Sequence, residues 1–155
     1  MKRKALAVNL KITLLVILAV TIAVFSFLAP ELGKQIRVLY PNLAYLYSPC
    51  LIFVWVTALP LLLSIFKGWQ ITTEIGKDNT YCLENAKRLT DISRLILTDV
   101  LLYCLALVAI IIGNLFHPAM YLIITLLIFV AAMVSVVASA LSHYILRYRE
   151  KNNIE

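Results

Sequence analysis

Four long apolar stretches dominate this sequence of 155 residues, 63% of which are hydrophobic. Soluble domains are usually about half apolar, whereas a helix that crosses a bilayer needs about 20 consecutive apolar residues. The stretches therefore predict transmembrane helices and not a large globular core. We place the spans at about 12–29, 46–66, 95–116 and 119–145, in a single membrane domain of residues 1–155 with a polar segment at 67–94.

The Lys and Arg residues are distributed unevenly about these spans. Four precede span one, five lie in the segment 67–94 and three follow span four, whereas the first outer loop holds two and the second holds none. The positive-inside rule therefore predicts a bacterial inner-membrane protein with both termini in the cytoplasm. The predicted fold class is an all-α integral membrane four-helix bundle, N-in and C-in, with a cytoplasmic extension of helix three. Anionic inner-leaflet headgroups are the expected partner of the +6 net charge, and no direct nucleic-acid partner is expected.

The N-terminal apolar run also resembles the core of a signal peptide, because basic residues precede it. Its length, and the presence of Pro30 directly after it, favour a retained helix. The outer loop at 30–45 contains Tyr and Leu residues and is expected to lie on the outer membrane surface.

Small residues form a stripe along span four. Residues of this kind let helix backbones approach closely in lipid, where no hydrophobic drive acts between helices. We expect the stripe to pack within the chain, with the interface of a homo-oligomer as the alternative. Its members are Ala131, Ser135, Ala138 and Ser142.

The segment between spans two and three carries the clearest functional pattern. Residues 72–80 are polar and predict a turn, after which Thr80 or Cys82 can start a helix. From Leu83 onward apolar residues recur at helical spacing opposite a charged face, so one helix is predicted from about Leu83 to Phe116.

The charged face of this helix is a candidate docking surface for a cytoplasmic partner. The candidate residues are Glu84, Asn85, Lys87, Arg88, Asp91 and Arg94. The alternative is an interfacial helix that only anchors the loop at the headgroups. Asn85 lies on the apolar stripe, where it can instead form a structural tie to a neighbouring helix end, near Lys67 and Gly68.

The run from Tyr81 to Leu89, Tyr-Cys-Leu-Glu-Asn-Ala-Lys-Arg-Leu, followed by Ile92, resembles a signature of the YoaS-like small bacterial membrane proteins, domain of unknown function 2975. Members of that family have an aromatic residue, Ser or Thr, then Glu-Asn, an apolar residue, a basic pair and Leu between spans two and three. Cys82 replaces the Ser or Thr, which predicts a weaker helix cap. The resemblance covers most of the chain and implies four spans. It also implies a role in holding or tuning a small helix-turn-helix regulator, because such regulators often neighbour these proteins.

Asp99 is the only acidic residue within a predicted span. Its position five residues after Arg94 places it near the inner interface, where we expect an ion pair with Lys11, His143 or Arg147. A proton or cation site is the alternative. Asp99 and His143, which is expected to be interfacial and can titrate, are the candidate intramembrane polar residues.

No pattern typical of an enzyme is present. The three cysteines are far apart with no CxxC, and no metal-binding, protease or phosphate-binding motif occurs, so no catalytic residue, metal or cofactor is expected. We therefore predict a non-enzymatic membrane regulator or scaffold that docks a cytoplasmic partner such as a helix-turn-helix transcription regulator. The alternatives are a small proton-coupled transporter that uses Asp99, and a membrane immunity or stress protein.

Overall fold

The computed structural model describes residues 3–39, 41–77, 79–113 and 118–152. These residues are almost entirely helical, with one π-helical turn at Val24–Leu28 and one 3-10 segment at Pro41–Leu46. The α-helices are α1 (Arg3–Ala23), α2 (Ala29–Leu39), α3 (Tyr47–Gly76), α4 (Leu83–Ile112) and α5 (Pro118–Asn152).

Four helical stretches are long and apolar enough to cross a membrane, which confirms the predicted all-α fold with four spans. The first two extend beyond the predicted limits at both ends, the third begins earlier than predicted and the fourth ends later. The stretches are Ala7–Leu39, Ala44–Gly76, Leu83–Ile112 and Tyr121–Lys151. The turn predicted between spans three and four falls at 114–117, outside the described residues.

The first span continues directly into the segment that we expected to be a surface loop. Pro30 lacks an N–H, and its ring crowds the carbonyl four residues earlier. The widened π-helical turn lies just before this proline, and the Ala29 N–H bonds the Val24 carbonyl five residues back. The helix is therefore not broken, and α2 continues it to Leu39. The segment at 30–45, which we treated as a loop, is therefore helical at Ala29–Leu39, and its place on the outer membrane surface stays a prediction.

The predicted polar turn at 72–80 was wrong for its first half, because α3 continues to Gly76. The hydroxyls of Thr72 and Thr73 both donate to the Trp69 carbonyl, at 2.8 and 3.0 Å. These polar side chains therefore find their hydrogen-bond partner within the helix. The connection to α4 therefore begins only at Lys77, whose N–H bonds the Glu74 and Ile75 carbonyls.

The spans pack as an open row in chain order and not as the bundle that we expected. Among the described residues, α1 approaches α3, α3 approaches α4 and α4 approaches α5, but α1 approaches neither α4 nor α5. Lipid supplies no hydrophobic force that would close such a row, so helices meet where small residues allow close approach. Gly68 and Gly76 of α3 lie against Leu14 and Ala7 of α1 in this way.

The α4–α5 contact is built on hydroxyl groups. The hydroxyl oxygens of Ser93 and Ser135 lie 2.9 Å apart, and each hydroxyl also lies 3.0 Å from the backbone carbonyl oxygen of the other residue. Nearer the start of α4, the Ser142 hydroxyl lies 2.8 Å from the Thr90 hydroxyl and donates to the Ala86 carbonyl. We call Thr90, Ser93, Ser135 and Ser142 the hydroxyl ladder.

The hydroxyl ladder explains the small-residue stripe of span four. Ser135, Ala138 and Ser142 are buried within the single chain, and Ala131 is half-buried. The stripe therefore serves packing within the chain, as we expected, with α4 as its partner.

Candidate functional site

Three parts of the chain meet at one end of the helix row, which we call the basic end. It comprises the first turns of α1, the α3–α4 connection at 77–82 and the last turns of α5. Gly76 lies beside Ala7, and the ring of Tyr81 stacks on that of Tyr148 with centroids 4.4 Å apart. The connection is thus held against both terminal helices of the row.

Cys82 caps the start of α4. Its backbone is extended, with φ −75° and ψ 152°, and its sulfur accepts a hydrogen bond from the Asn85 N–H at 3.4 Å. This confirms the predicted helix start at Leu83 and the Cys82 alternative for its cap. Sulfur is a weaker acceptor than the hydroxyl oxygen of Ser or Thr, so other groups must fix the connection.

Asn85 is the group that fixes the connection. Its side chain is completely buried, and its amide donates to the carbonyls of Asn79 and Thr80 at 3.3 and 3.1 Å. Its oxygen accepts from the Arg88 guanidinium at 3.1 Å. Asn85 thus acts as a structural tie, although it bonds the connection itself and not the helix end near Lys67 that we expected.

Arg88 extends this network to the surface. Its second guanidinium nitrogen donates to the Glu84 carboxylate at 3.1 Å, one helical turn earlier. The Arg88 side chain is only 20% exposed while that of Glu84 is 72% exposed. We call Asn79, Thr80, Glu84, Asn85 and Arg88 the Asn85 network.

The six candidate docking residues do not share one environment. Asn85 is buried and Arg88 is largely covered, so neither offers much surface to a partner. The remaining four follow one another at spacings of three, four and three, which places them on one face of α4. This charged face consists of Glu84, Lys87, Asp91 and Arg94.

The charged face begins well outside the apolar part of α4 and is held in place by α3. Lys67 of α3 donates to the Asp91 carboxylate at 2.8 Å, and both side chains are partly exposed. Glu84, Lys87 and Arg94 are exposed. Acidic and basic groups therefore alternate along a helix that α3 supports on one side and α5 on the other.

Asp99 lies about 12 Å of helix rise beyond Asp91, inside the apolar part of α4. It is buried, with 5% of its surface exposed, and its Oδ1 has no hydrogen-bond partner in the described part of the chain. An ionised Asp at mid-membrane costs about 2.5–3.5 kcal/mol on insertion scales. A carboxylate without a partner at this position is therefore unfavourable.

The ion pair that we expected for Asp99 is not formed among the described residues. Lys11 lies over the ring of Trp69, 5.4 Å from its centroid, and His143 and Arg147 are exposed side chains of α5. Asp99 instead shares a helix face with Tyr103, whose ring lies 6.3 Å from that of Phe53 on α3. The expected ion pair between Asp99 and His143 was wrong, because the face of α4 that carries Asp99 and Tyr103 is turned to α3 and not to α5.

Some residues of the site could not be selected from the sequence. Thr90 and Ser93 resemble ordinary polar positions of an interfacial helix, and only the opposing hydroxyls of α5 show what they do. Tyr148 follows span four, where aromatic residues commonly mark the membrane interface, yet it stacks on Tyr81 of the motif. A signal was present, because Tyr81 is the aromatic position that begins the motif.

Comparisons with known proteins identify the family of this chain. The family model described as "Protein of unknown function (DUF2975)" matches residues 31–147, which include α3, α4 and most of α5. The uncharacterized membrane protein YoaS of Bacillus subtilis (strain 168) is 25% identical over 139 residues, covering 89% of this chain and 87% of that protein. No solved structure matches the chain. The chain therefore belongs to the DUF2975 family of membrane proteins.

Proposed function

We propose that this protein is a non-enzymatic membrane regulator or scaffold whose charged face docks a cytoplasmic protein. The observation that carries the proposal is the row formed by Glu84, Lys87, Asp91 and Arg94. Its charges alternate in sign and its side chains are half-buried to exposed, on a helix that the Asn85 network holds at its start. A rigid surface of alternating charge suits a partner of complementary pattern, because charge complementarity sets specificity and association rate.

The orientation that this proposal needs has both termini and the α3–α4 connection in the cytoplasm. The distribution of Lys and Arg supports this orientation, because the end opposite the basic end carries only two cations, Lys34 and Arg37. The membrane is then the bacterial inner membrane. The partner that the family resemblance favours is a small helix-turn-helix regulator, which the charged face would hold near the membrane.

An interfacial anchor is the competing explanation for the charged face. A helix that only rests on headgroups needs cations and gains little from the acids between them. Glu84 and Asp91 interrupt the cations at regular spacing. Asp91 is bonded to Lys67, which already neutralises part of its charge, but Glu84 remains 72% exposed beside Lys87. This alternation favours a protein partner over a lipid surface.

The docking proposal predicts a specific cross-link. We expect a photo-reactive amino acid at Lys87, in the full chain in native cells, to form an adduct with a helix-turn-helix regulator, identified by mass spectrometry. The same group at Leu101, which is exposed on the same helix face within the apolar part of α4, should yield none. Adducts with lipid alone at position 87 would contradict docking and establish the anchor.

A charge reversal sharpens this test. With the photo-reactive group at position 87, Arg94→Glu should lower adduct yield on the order of tenfold, equivalent to ~1.4 kcal/mol of docking free energy. Lys34→Glu is the matched control, because Lys34 is an exposed cation at the opposite end of the molecule, paired with Glu31 at 3.5 Å. The level of the protein in membranes, followed by immunoblot, should stay unchanged in both variants.

A further inference from the structure

The apolar parts of the four spans together contain one acidic side chain, Asp99, and no cation. The sequence holds no ionisable residue between Lys11 and Glu31, and α3 holds none between Cys50 and Lys67. α5 likewise holds none between Tyr121 and His143. The apolar part of α4 adds Tyr103 and Cys104 to Asp99. No other span therefore supplies a charge that could neutralise an Asp99 carboxylate.

The surroundings of Asp99 agree with that count. The face that it shares with Tyr103 is turned to α3, since the Tyr103 ring lies 6.3 Å from that of Phe53. α3 contains one cation, Lys67, which is bonded to Asp91 at 2.8 Å. In the described part of the chain α1 does not approach α4, and the Lys11 ammonium of α1 lies over the Trp69 ring. Lys67 and Lys11 are thus engaged with other side chains.

We propose that Asp99 is a reversible proton-binding site inside the membrane domain, occupied at neutral pH. Its Oδ1 is buried and finds no hydrogen-bond partner among the residues that the structure describes. A proton removes the charge that this position does not solvate or pair. The inference goes beyond the docking proposal and does not depend on it, because no residue of the charged face takes part.

A proton fits the site better than a metal ion does. Hard cations such as Ca²⁺ and Mg²⁺ take about six or more oxygen ligands. Among the described residues, the helix face that carries the carboxyl adds the hydroxyl of Tyr103, and the Thr57 hydroxyl of α3 already donates to the Val54 carbonyl at 2.9 Å. One carboxylate and two hydroxyls do not complete such a shell. A proton needs only the carboxyl oxygen.

Infrared difference spectroscopy of the purified full chain in lipid nanodiscs tests the site. At neutral pH we expect the carbonyl stretch of a protonated carboxylic acid, which should disappear reversibly as the pH becomes alkaline. Asp99→Asn should abolish this band. Asp91→Asn should retain it, because the Asp91 carboxylate is ion-paired with Lys67 and partly exposed. Absence of the band at neutral pH, or its persistence in Asp99→Asn, would overturn the proposal.

Labelling with a hydrophobic carbodiimide tests the same site in the unmodified protein, independently of whether a variant folds. The reagent adds to protonated carboxyls in apolar surroundings, so the peptide that contains Asp99 should gain its mass at neutral pH and lose this reactivity at alkaline pH. Sodium ions at constant pH should not protect the peptide. Protection by sodium would identify a metal-cation site and overturn the assignment of a proton, as would equal labelling of the Asp91 peptide.

Discussion

Replacing Asn85 with alanine is expected to lower the free energy of unfolding by about 2–4 kcal/mol, because each buried polar group left unpaired costs about 1–3 kcal/mol. The change removes the donors of the Asn79 and Thr80 carbonyls and the acceptor of Arg88. It also leaves a cavity at a side chain that is 0% exposed. We therefore expect the α3–α4 connection to come loose from the start of α4.

Cys82 offers a direct readout of this change, because it is buried within the connection whereas Cys50 and Cys104 are exposed. With Cys50 and Cys104 replaced by serine, a fluorogenic maleimide reports the temperature at which Cys82 becomes accessible. For a chain of this size, each kcal/mol shifts the melting temperature by about 2–4 °C, so a decrease on the order of 10 °C is expected.

The matched control for Asn85→Ala is Asn79→Ala. The exposed Asn79 side chain reaches only the Glu74 carboxylate, at 3.5 Å, while its carbonyl, which Asn85 uses, is kept. Surface changes of this kind usually stay within about 0.5 kcal/mol. Equal melting temperatures for the two variants would show that the Asn85 network does not hold the connection.

Ser135→Leu is expected to be comparably damaging at the α4–α5 contact. Overpacking a close helix contact costs about 1–3 kcal/mol, and interhelical hydrogen bonds in membranes average about 0.6 kcal/mol each. The Ser135 hydroxyl contacts both the hydroxyl and the carbonyl of Ser93, at 2.9 and 3.0 Å. A leucine cannot fit there unless α5 moves away from α4, so we expect a loss of about 2–4 kcal/mol.

Ala140→Leu serves as the control for overpacking, because Ala140 is exposed on the same helix, five residues from Ser135. It adds a larger apolar side chain without a helix contact and should leave the melting temperature nearly unchanged. Ser135→Ala removes the hydrogen bonds without overpacking, so its melting temperature should lie between those of Ser135→Leu and Ala140→Leu. If Ser135→Leu and Ala140→Leu had the same melting temperature, the hydroxyl ladder would not be the contact that holds α5 against α4.

The sequence predicted well those features that depend on local chemistry. The apolar stretches located four spans, and the polar break before Leu83 located the start of α4 with Cys82 as its cap. Helix ends were predicted poorly where polar side chains bond their own helix. Thr72 and Thr73 looked like turn residues, but their hydroxyls bond the Trp69 carbonyl and keep α3 helical.

Features that depend on how helices face one another could not be predicted. The motif singled out Asn85, but its partners lie five and six residues earlier, in a connection whose path only the structure gives. Asp99 was expected to find a cation because the basic end lies nearby. The face of α4 that carries Asp99 points to α3 instead, where no free cation was found among the described residues. Helical spacing alone does not fix the direction in which that face points.

Docking of a cytoplasmic partner requires that the basic end, with its charged face, lies in the cytoplasm. Single cysteines placed in a chain without its own three, at the exposed positions Lys34→Cys and Lys151→Cys, test it directly. Spheroplasts treated with a membrane-impermeant maleimide should label position 34, and position 151 should react only after permeabilisation. Labelling of position 151 in intact spheroplasts, with protection of position 34, would contradict the orientation and with it the docking of a cytoplasmic partner.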